Sequence, residues 1–274
     1  MSPSISPEMT KRPRLRVSCI IAERETGFTF GQAFARTKSG SLAFLRSLVR
    51  QQEKPDYARG VQPLCVPPSA PARVVVLASG TGSLLGSLID AAVGDYPARV
   101  VAVGVDRDCR AAEIAKAASV PTFTVLLADH SGRDAWDAAI TEAVAEHTPD
   151  LVVSAGFMKV LGQQFISRFI GRIINTHPAL LPAFPGAHGV ADALAYGVKV
   201  TGATVHLVDA GIDTGPILAQ QSVPVLDGDD IATLHERIKV TERRLLVDVV
   251  AAIATGGMNL VDGKATIGRK ATIG

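Results

Sequence analysis

The sequence predicts an α/β fold: a mostly parallel sheet flanked by helices, with an antiparallel strand pair in the C-terminal half. Three observations carry this expectation. From Arg73 onward, short runs rich in Val and Ile alternate with longer amphipathic segments. The first run, Arg73–Ser79, is apolar throughout its middle, as expected of a strand buried on both faces. After about residue 180 the alternation gives way to two strand-like runs separated by a Gly-rich loop.

In order, strands are expected at 73–79, 99–105, 122–126, 150–155 and 172–176. Helices are expected between them at 83–92, 110–118, 133–147 and 162–169. A short helix over 191–196 comes next, then strands over 201–208 and 216–223, and a long helix over 229–254. The tail carries Ala-Thr-Ile-Gly at 265–268 and again at 271–274; two copies are too few for a repeat fold, so an edge strand or a loose tail is expected.

Residues 1–72 differ from the rest of the chain. They are Pro-rich, keep no apolar period outside an amphipathic turn or two at Ser41–Arg50, and carry 11 Lys and Arg against 5 Asp and Glu. They are expected to form a disordered or loosely attached extension, with 73–274 as the main domain. A basic arm for a partner, or translation starting at Val61, are the alternatives. The main domain has 17 basic and 21 acidic residues, so no nucleic-acid surface is expected. No apolar run is long enough to span a membrane, and no signal-peptide pattern opens the chain. Cys19, Cys65 and Cys109 are widely spaced and form neither a disulfide framework nor a zinc pattern. A cytoplasmic setting is expected, with no metal, no membrane partner and a homodimer as the oligomeric state.

Three segments have the residue types for chemistry. Ser79-Gly80-Thr81-Gly82-Ser83 lies between a strand and a helix, where glycines let a ligand approach and free helix N–H groups face an anion. It lacks the third glycine of the dinucleotide fingerprint and the Lys of a P-loop, so a tight strand-to-helix turn is the alternative. Asn175-Thr176-His177-Pro178 comes directly after the fifth strand, where ligands of open α/β sheets sit and where Asn and His can stabilise an oxyanion. Asp213 is in the Gly-rich loop 211–216, where a carboxylate can keep His177 charged or simply close a turn. His206, on the preceding strand, can face the same site or the core. No Ser or Cys nucleophile stands beside a base, so a His-Asn-Asp set suits direct acyl transfer to an amine.

With Gly156–Leu161, Leu180-Leu181-Pro182 and Gly202 added, these motifs resemble the phosphoribosylglycinamide formyltransferase family from about Arg73 to the end of the long helix. The resemblance implies a Rossmann-like formyltransferase domain of purine synthesis, with 10-formyltetrahydrofolate as co-substrate and the amine of phosphoribosylglycinamide as acceptor. It implies that Gly82, Ser83, Leu84 and Glu242 hold the acceptor; Lys239 matches a position that also faces it. Leu84 stands where relatives often have Asn, which leaves only backbone to contact the acceptor there. It further implies folate binding by Arg133, Met158, Lys159, Val160 and Leu161, with Asn175 bridging to the formyl group. Asn175, His177 and Asp213 become the catalytic set.

The rivals share this core. Methionyl-tRNA formyltransferase requires a further C-terminal domain. Formyltetrahydrofolate deformylase requires an N-terminal regulatory domain, which the aperiodic residues 1–72 do not resemble. A non-catalytic nucleotide-binding module explains Gly80–Ser83 but leaves Asn175, His177 and Asp213 idle.

Overall fold

The computed structural model describes residues 64–268. Its elements are β1 (Leu64–Val66), β2 (Ala72–Ala78), α1 (Ser83–Ala91), β3 (Ala98–Val105), α2 (Arg110–Ala117), β4 (Thr122–Thr124), α3 (Arg133–Ala145) and β5 (Leu151–Ser154). They continue with α4 (Gln163–Arg168), β6 (Ile173–His177), α5 (Gly189–Tyr196), β7 (Val200–Leu207), β8 (Ile217–Pro224), α6 (Ile231–Gly256), β9 (Met258–Val261) and β10 (Lys264–Ile267). A seven-stranded sheet runs in the order β4-β3-β2-β5-β6-β7-β8. The strands from β4 to β6 in that order are parallel; β7 is antiparallel to both of its neighbours, β6 and β8.

The expected α/β architecture is therefore present, and strand geometry explains how it packs. Alternate side chains of a strand point to opposite faces. Val74, Val76 and Ala78 of β2 enter one core with α1, α2 and α6. Val75 and Leu77 enter the other, with α3 and α4. All five are at most 1% exposed, which accounts for the unbroken apolar run. Each such Val or Leu contributes roughly 1.5–3 kcal/mol by leaving water.

The long helix α6 starts at a capping box: the Asp230 side chain accepts from Thr233 N at 2.8 Å, and Asp230 N donates to Thr233 Oγ1 at 2.9 Å. Its buried stripe runs Leu234, Ile238, Glu242, Leu245, Leu246, Val249, Val250 and Ile253. A carboxylate thus stands where the period calls for an apolar side chain.

At the tail, all but the glycine of the first Ala-Thr-Ile-Gly falls in the expected edge strand, β10, which forms a hairpin with β9 turned by Asp262 and Gly263, both at positive φ (49° and 70°). Asp-Gly favours such a two-residue turn. β1 precedes residue 73, where the main domain is expected to begin. β1 pairs antiparallel with β9, Val66 is buried, and Ser69 N donates to Ala254 O at 3.0 Å. Prolines 67, 68 and 71 erase any local period here, and the partner strand lies at the far end of the chain. The possible helical turn at Ser41–Arg50, Val61 and Cys19 lie outside the described residues, as does the second Ala-Thr-Ile-Gly.

Candidate active site

β6 places the proposed chemistry by alternation. Asn175 and His177 share the face of Ile173, which belongs to the core with α3 and α4, whereas Thr176 points with Ile174 toward α6. Antiparallel pairing sets His206 of β7 opposite Asn175. The loop after β7 then brings Asp213 onto the same face, between the two imidazoles. His177 Nδ1 lies 3.3 Å from Asp213 Oδ2, and His206 Nε2 lies 3.5 Å from Asp213 Oδ1. Gly186 N donates to Asp213 Oδ2 at 2.7 Å.

The outer ring atoms constrain the protons. His177 Nε2 faces Phe184 O at 2.8 Å, and His206 Nδ1 faces Leu207 O at 2.9 Å. A carbonyl only accepts, so each of these nitrogens carries a proton. The remaining nitrogen of each ring faces one shared carboxylate. His206 Nε2 is also 3.3 Å from Asn175 Nδ2. When neutral it accepts from that amide; when charged it donates to Asp213. Burial alone would push the Asp213 carboxyl up, but bonds from His206 and Gly186 N, and the charges of His177 and His206, hold it below the ordinary carboxylate range.

Both nitrogens of His177 are thus engaged by the protein, and the side chain is buried. Stabilising an oxyanion, the role expected of His177, requires a ring N–H to exchange its present partner. Phe184 O occupies that donor, and Phe184 itself sits at φ 54°.

The Gly-rich turn leads from β2 into α1. Gly82, at φ 71°, precedes the helix; a Cβ there would lie 2.9 Å from Ala111 Cα. The residue at the N-cap makes no side-chain capping bond, so the first N–H groups of α1 remain available to an anion. Ser83 and Leu84 are half-buried, and Leu84 packs on the core. Glu242 lies on the other side of β6, buried and bonded by the Thr176 hydroxyl. Burial pushes its carboxyl up, against the opposing pull of Thr176, Lys239 and Arg243.

The expected folate segment comes after β5. Arg133 Nη2 donates to Val160 O, joining the start of α3 to residues 158–161. Met158 and Val160 are exposed, whereas Leu161 is buried in the core with α3 and α4. Lys159 Nζ is 3.8 Å from the buried Asp106, which Arg107 and Ser79 also bond. Burial alone would raise the Asp106 carboxyl; these partners hold it down.

Sequence reasoning missed Asp137 and Asp106, and it gave the Ser79 side chain no role of its own. Asp137 accepts from Gly162 N (2.7 Å), Gln164 N (2.9 Å) and Phe165 N (3.3 Å), capping α4 and anchoring the end of the segment. Its position beside Trp136 in a buried stripe with Ile140 and Val144 is the signal that could have found it. Ser79 Oγ accepts from Met158 N at 2.9 Å and ties the Gly-rich turn to residues 156–161.

Among the described residues no group of three or more His, Cys, Asp or Glu is placed to hold a metal ion. No described helix is long and apolar enough to cross a membrane.

Comparison with known proteins shows the family. Residues 72–250 match the family model described as formyl transferase. Over 213 residues the chain is 81% identical to a phosphoribosylglycinamide formyltransferase of Mycobacterium tuberculosis, covering 78% of this chain and 99% of that one. The glycinamide ribonucleotide transformylase 1 of Symbiobacterium toebii superimposes with a TM-score of 0.70 at 39% identity, covering 72% of this chain and 93% of that one. A formyltetrahydrofolate deformylase from Pseudomonas syringae pv. tomato reaches a TM-score of 0.67 at 26% identity, over 72% of this chain and 65% of that one. The identity, and the near-complete coverage of the mycobacterial relative, separate the transferase from the rival that shares its core: the chain belongs to the phosphoribosylglycinamide formyltransferase family.

Proposed function

We propose that Asn175, His177 and Asp213 carry the transfer of a formyl group from 10-formyltetrahydrofolate to the amine of phosphoribosylglycinamide. The single observation behind these roles is the carboxylate of Asp213 within reach of both His177 and His206. The neutral amine attacks the formyl carbon and forms a C–N bond. The carbonyl oxygen becomes an oxyanion, which takes the His177 Nε2 proton contact now made by Phe184 O and a second hydrogen bond from the Asn175 amide. Asp213 anchors the His177 ring at Nδ1 and relays the proton lost by the amine toward the folate N10 as the N10–C bond breaks. Each step is assigned to a side chain of this protein.

The binding roles rest on placement. The open helix start at Ser83 suits the acceptor's phosphate, with Gly82 and the backbone of Leu84 beside it. Glu242 supplies a buried carboxyl on the acceptor side. The exposed Met158 and Val160, beside Arg133 and Lys159, suit an aromatic donor with a carboxylate tail; Leu161, being core, contributes through its backbone. A cytoplasmic location and a homodimer complete the reading.

Mixing the protein with both substrates, beside a control without acceptor, tests the reaction. Acceptor-dependent release of tetrahydrofolate is expected; release without acceptor would instead mark water as the attacking group, as in a deformylase. Asp213→Asn is expected to lower kcat by about 10²–10⁴-fold with little change in either KM. An unchanged kcat rejects the role of Asp213.

A further inference from the structure

Gly186 N, His177 and His206 meet the Asp213 carboxylate, but its backbone lies in a loop that must be held by other contacts. Ala210, Gly211, Ile212 and Thr214 are exposed, so apolar burial does not fix the loop. Asp213 itself sits at φ 53°, a left-handed conformation uncommon for residues other than glycine, though Asp tolerates it better than most.

The neighbours are pinned from one point. Asp209 is 3% exposed and stands just past β7, whose continuation is tied to β6 by the bond from Val208 N to Ile173 O at 2.9 Å. Its Oδ1 accepts from Thr214 Oγ1 at 2.6 Å and from Gly211 N at 3.0 Å, bracketing Asp213 on both sides in sequence. The loop closes so tightly around this staple that a Cβ on Gly211 would lie 2.0 Å from Thr214 Oγ1, and one on Gly215 would lie 1.8 Å from Leu207 O. The far oxygen, Asp209 Oδ2, is buried without a hydrogen-bond partner among the described residues. Only one of the two carboxylate oxygens therefore holds the loop.

We infer that Asp209 and Thr214 are positioning residues for the transfer: their side-chain bond fixes Asp213 in the conformation that keeps its carboxylate against His177. The inference rests on the catalytic role proposed above for Asp213. The staple uses the accepting geometry of Oδ1, not the full charge of the carboxylate, so an amide in the same place serves as well.

The test measures kcat, both KM values and the pH dependence of kcat for a set of variants of the full chain, with Asp213→Asn alongside. Thr214→Val removes the donor and Asp209→Leu removes the acceptor at similar volume. Each is expected to lower kcat by about 10- to 100-fold, the scale of an ångström-level misplacement. Both KM values should stay within about twofold, since neither residue is assigned to substrate. Thr214→Ser restores the hydroxyl and Asp209→Asn restores the accepting oxygen, and each is expected to recover most of the loss. The double variant Asp209→Leu/Thr214→Val should be no slower than Asp209→Leu alone, because Asp209→Leu already removes the bond that Thr214→Val breaks. The acid limb of the kcat profile should move to higher pH in Thr214→Val, because an Asp213 released from its partners protonates more readily. A merely structural loop would not move that limb.

Thr214→Val with unchanged kcat and profile, in a background where Asp213→Asn is impaired, overturns the staple and leaves the role of Asp213 standing. A loss in Thr214→Val that Thr214→Ser does not recover also overturns it. Full activity in Asp213→Asn removes both readings together.

Discussion

The carboxyls of Asp213 and Glu242 stand on opposite sides of β6 and are pushed in opposite directions. Asp213 is held low by its partners, so it adds stability that is present above the ordinary Asp range and is lost as pH falls through its depressed folded value. Glu242 is pushed up by burial, so its contribution is present below the ordinary Glu range and is lost as pH rises toward its raised folded value. A buried carboxylate in the apolar stripe of a helix is costly to the fold, and acceptor binding is the reason proposed for keeping it. Glu242→Gln is therefore expected to raise the melting temperature at neutral pH while raising the KM for phosphoribosylglycinamide; thermal melts at pH 4 and pH 7.5, with the gain confined to the higher pH, check the sign. At this scale the sequence is informative where a residue is unusual for its neighbourhood. His177 after a buried strand and Asp213 among glycines stand out. His206 is ambiguous in the sequence because only strand pairing turns it toward Asn175, and Asp209 is invisible there because its partner is a hydroxyl five residues away on a folded-back loop.

The elements show a second kind of legibility. Strands β2, β3, β5 and β6 and helices α1 to α4 follow directly from apolar period and turn residues, because local pattern and burial coincide there. The β9–β10 hairpin has its turn written in Asp262-Gly263, but strands only four residues long carry too little period to announce it. β1 has no local signal, because three prolines hide it and its pairing is long-range. Helix α4 depends on a residue from another element: three of its first N–H donors, or those just before it, end on Asp137 of α3. Asp137→Ala leaves them unpaired beside a packed core and is expected to cost about 1–3 kcal/mol in urea unfolding. Because Gly162 closes the segment 158–161, the KM for 10-formyltetrahydrofolate should rise as well, with a smaller effect on the KM for the acceptor. Equal changes in both would contradict the link.

For the whole molecule, the site gathers pieces from the two halves of the chain: the Gly-rich turn and the 156–161 segment from the parallel half, and His206 and Asp213 from around the antiparallel strand β7. The folded body reaches back past the main domain's expected start. A chain beginning at Leu64 is expected to keep its kcat, whereas one beginning at Arg73 loses the β1–β9 pairing and the buried Val66 and should melt at a lower temperature. Equal melting temperatures for the two would show that β1 contributes nothing.

The small sheet β1-β9-β10 has a further consequence. Leu64 and Ala265 flank Leu260 from either side, and Ile267 lies two residues beyond, so the entry and exit of the described chain are about 12 Å apart by strand spacing and rise. A domain with its two ends this close can be carried as an insert in a surface loop of another protein, or closed into a ring by a linker of a few residues, without disturbing the opposite end of the sheet where the Gly-rich turn lies. The hairpin at the tail thus makes the catalytic body portable, a unit that a larger polypeptide can host at a single point of attachment.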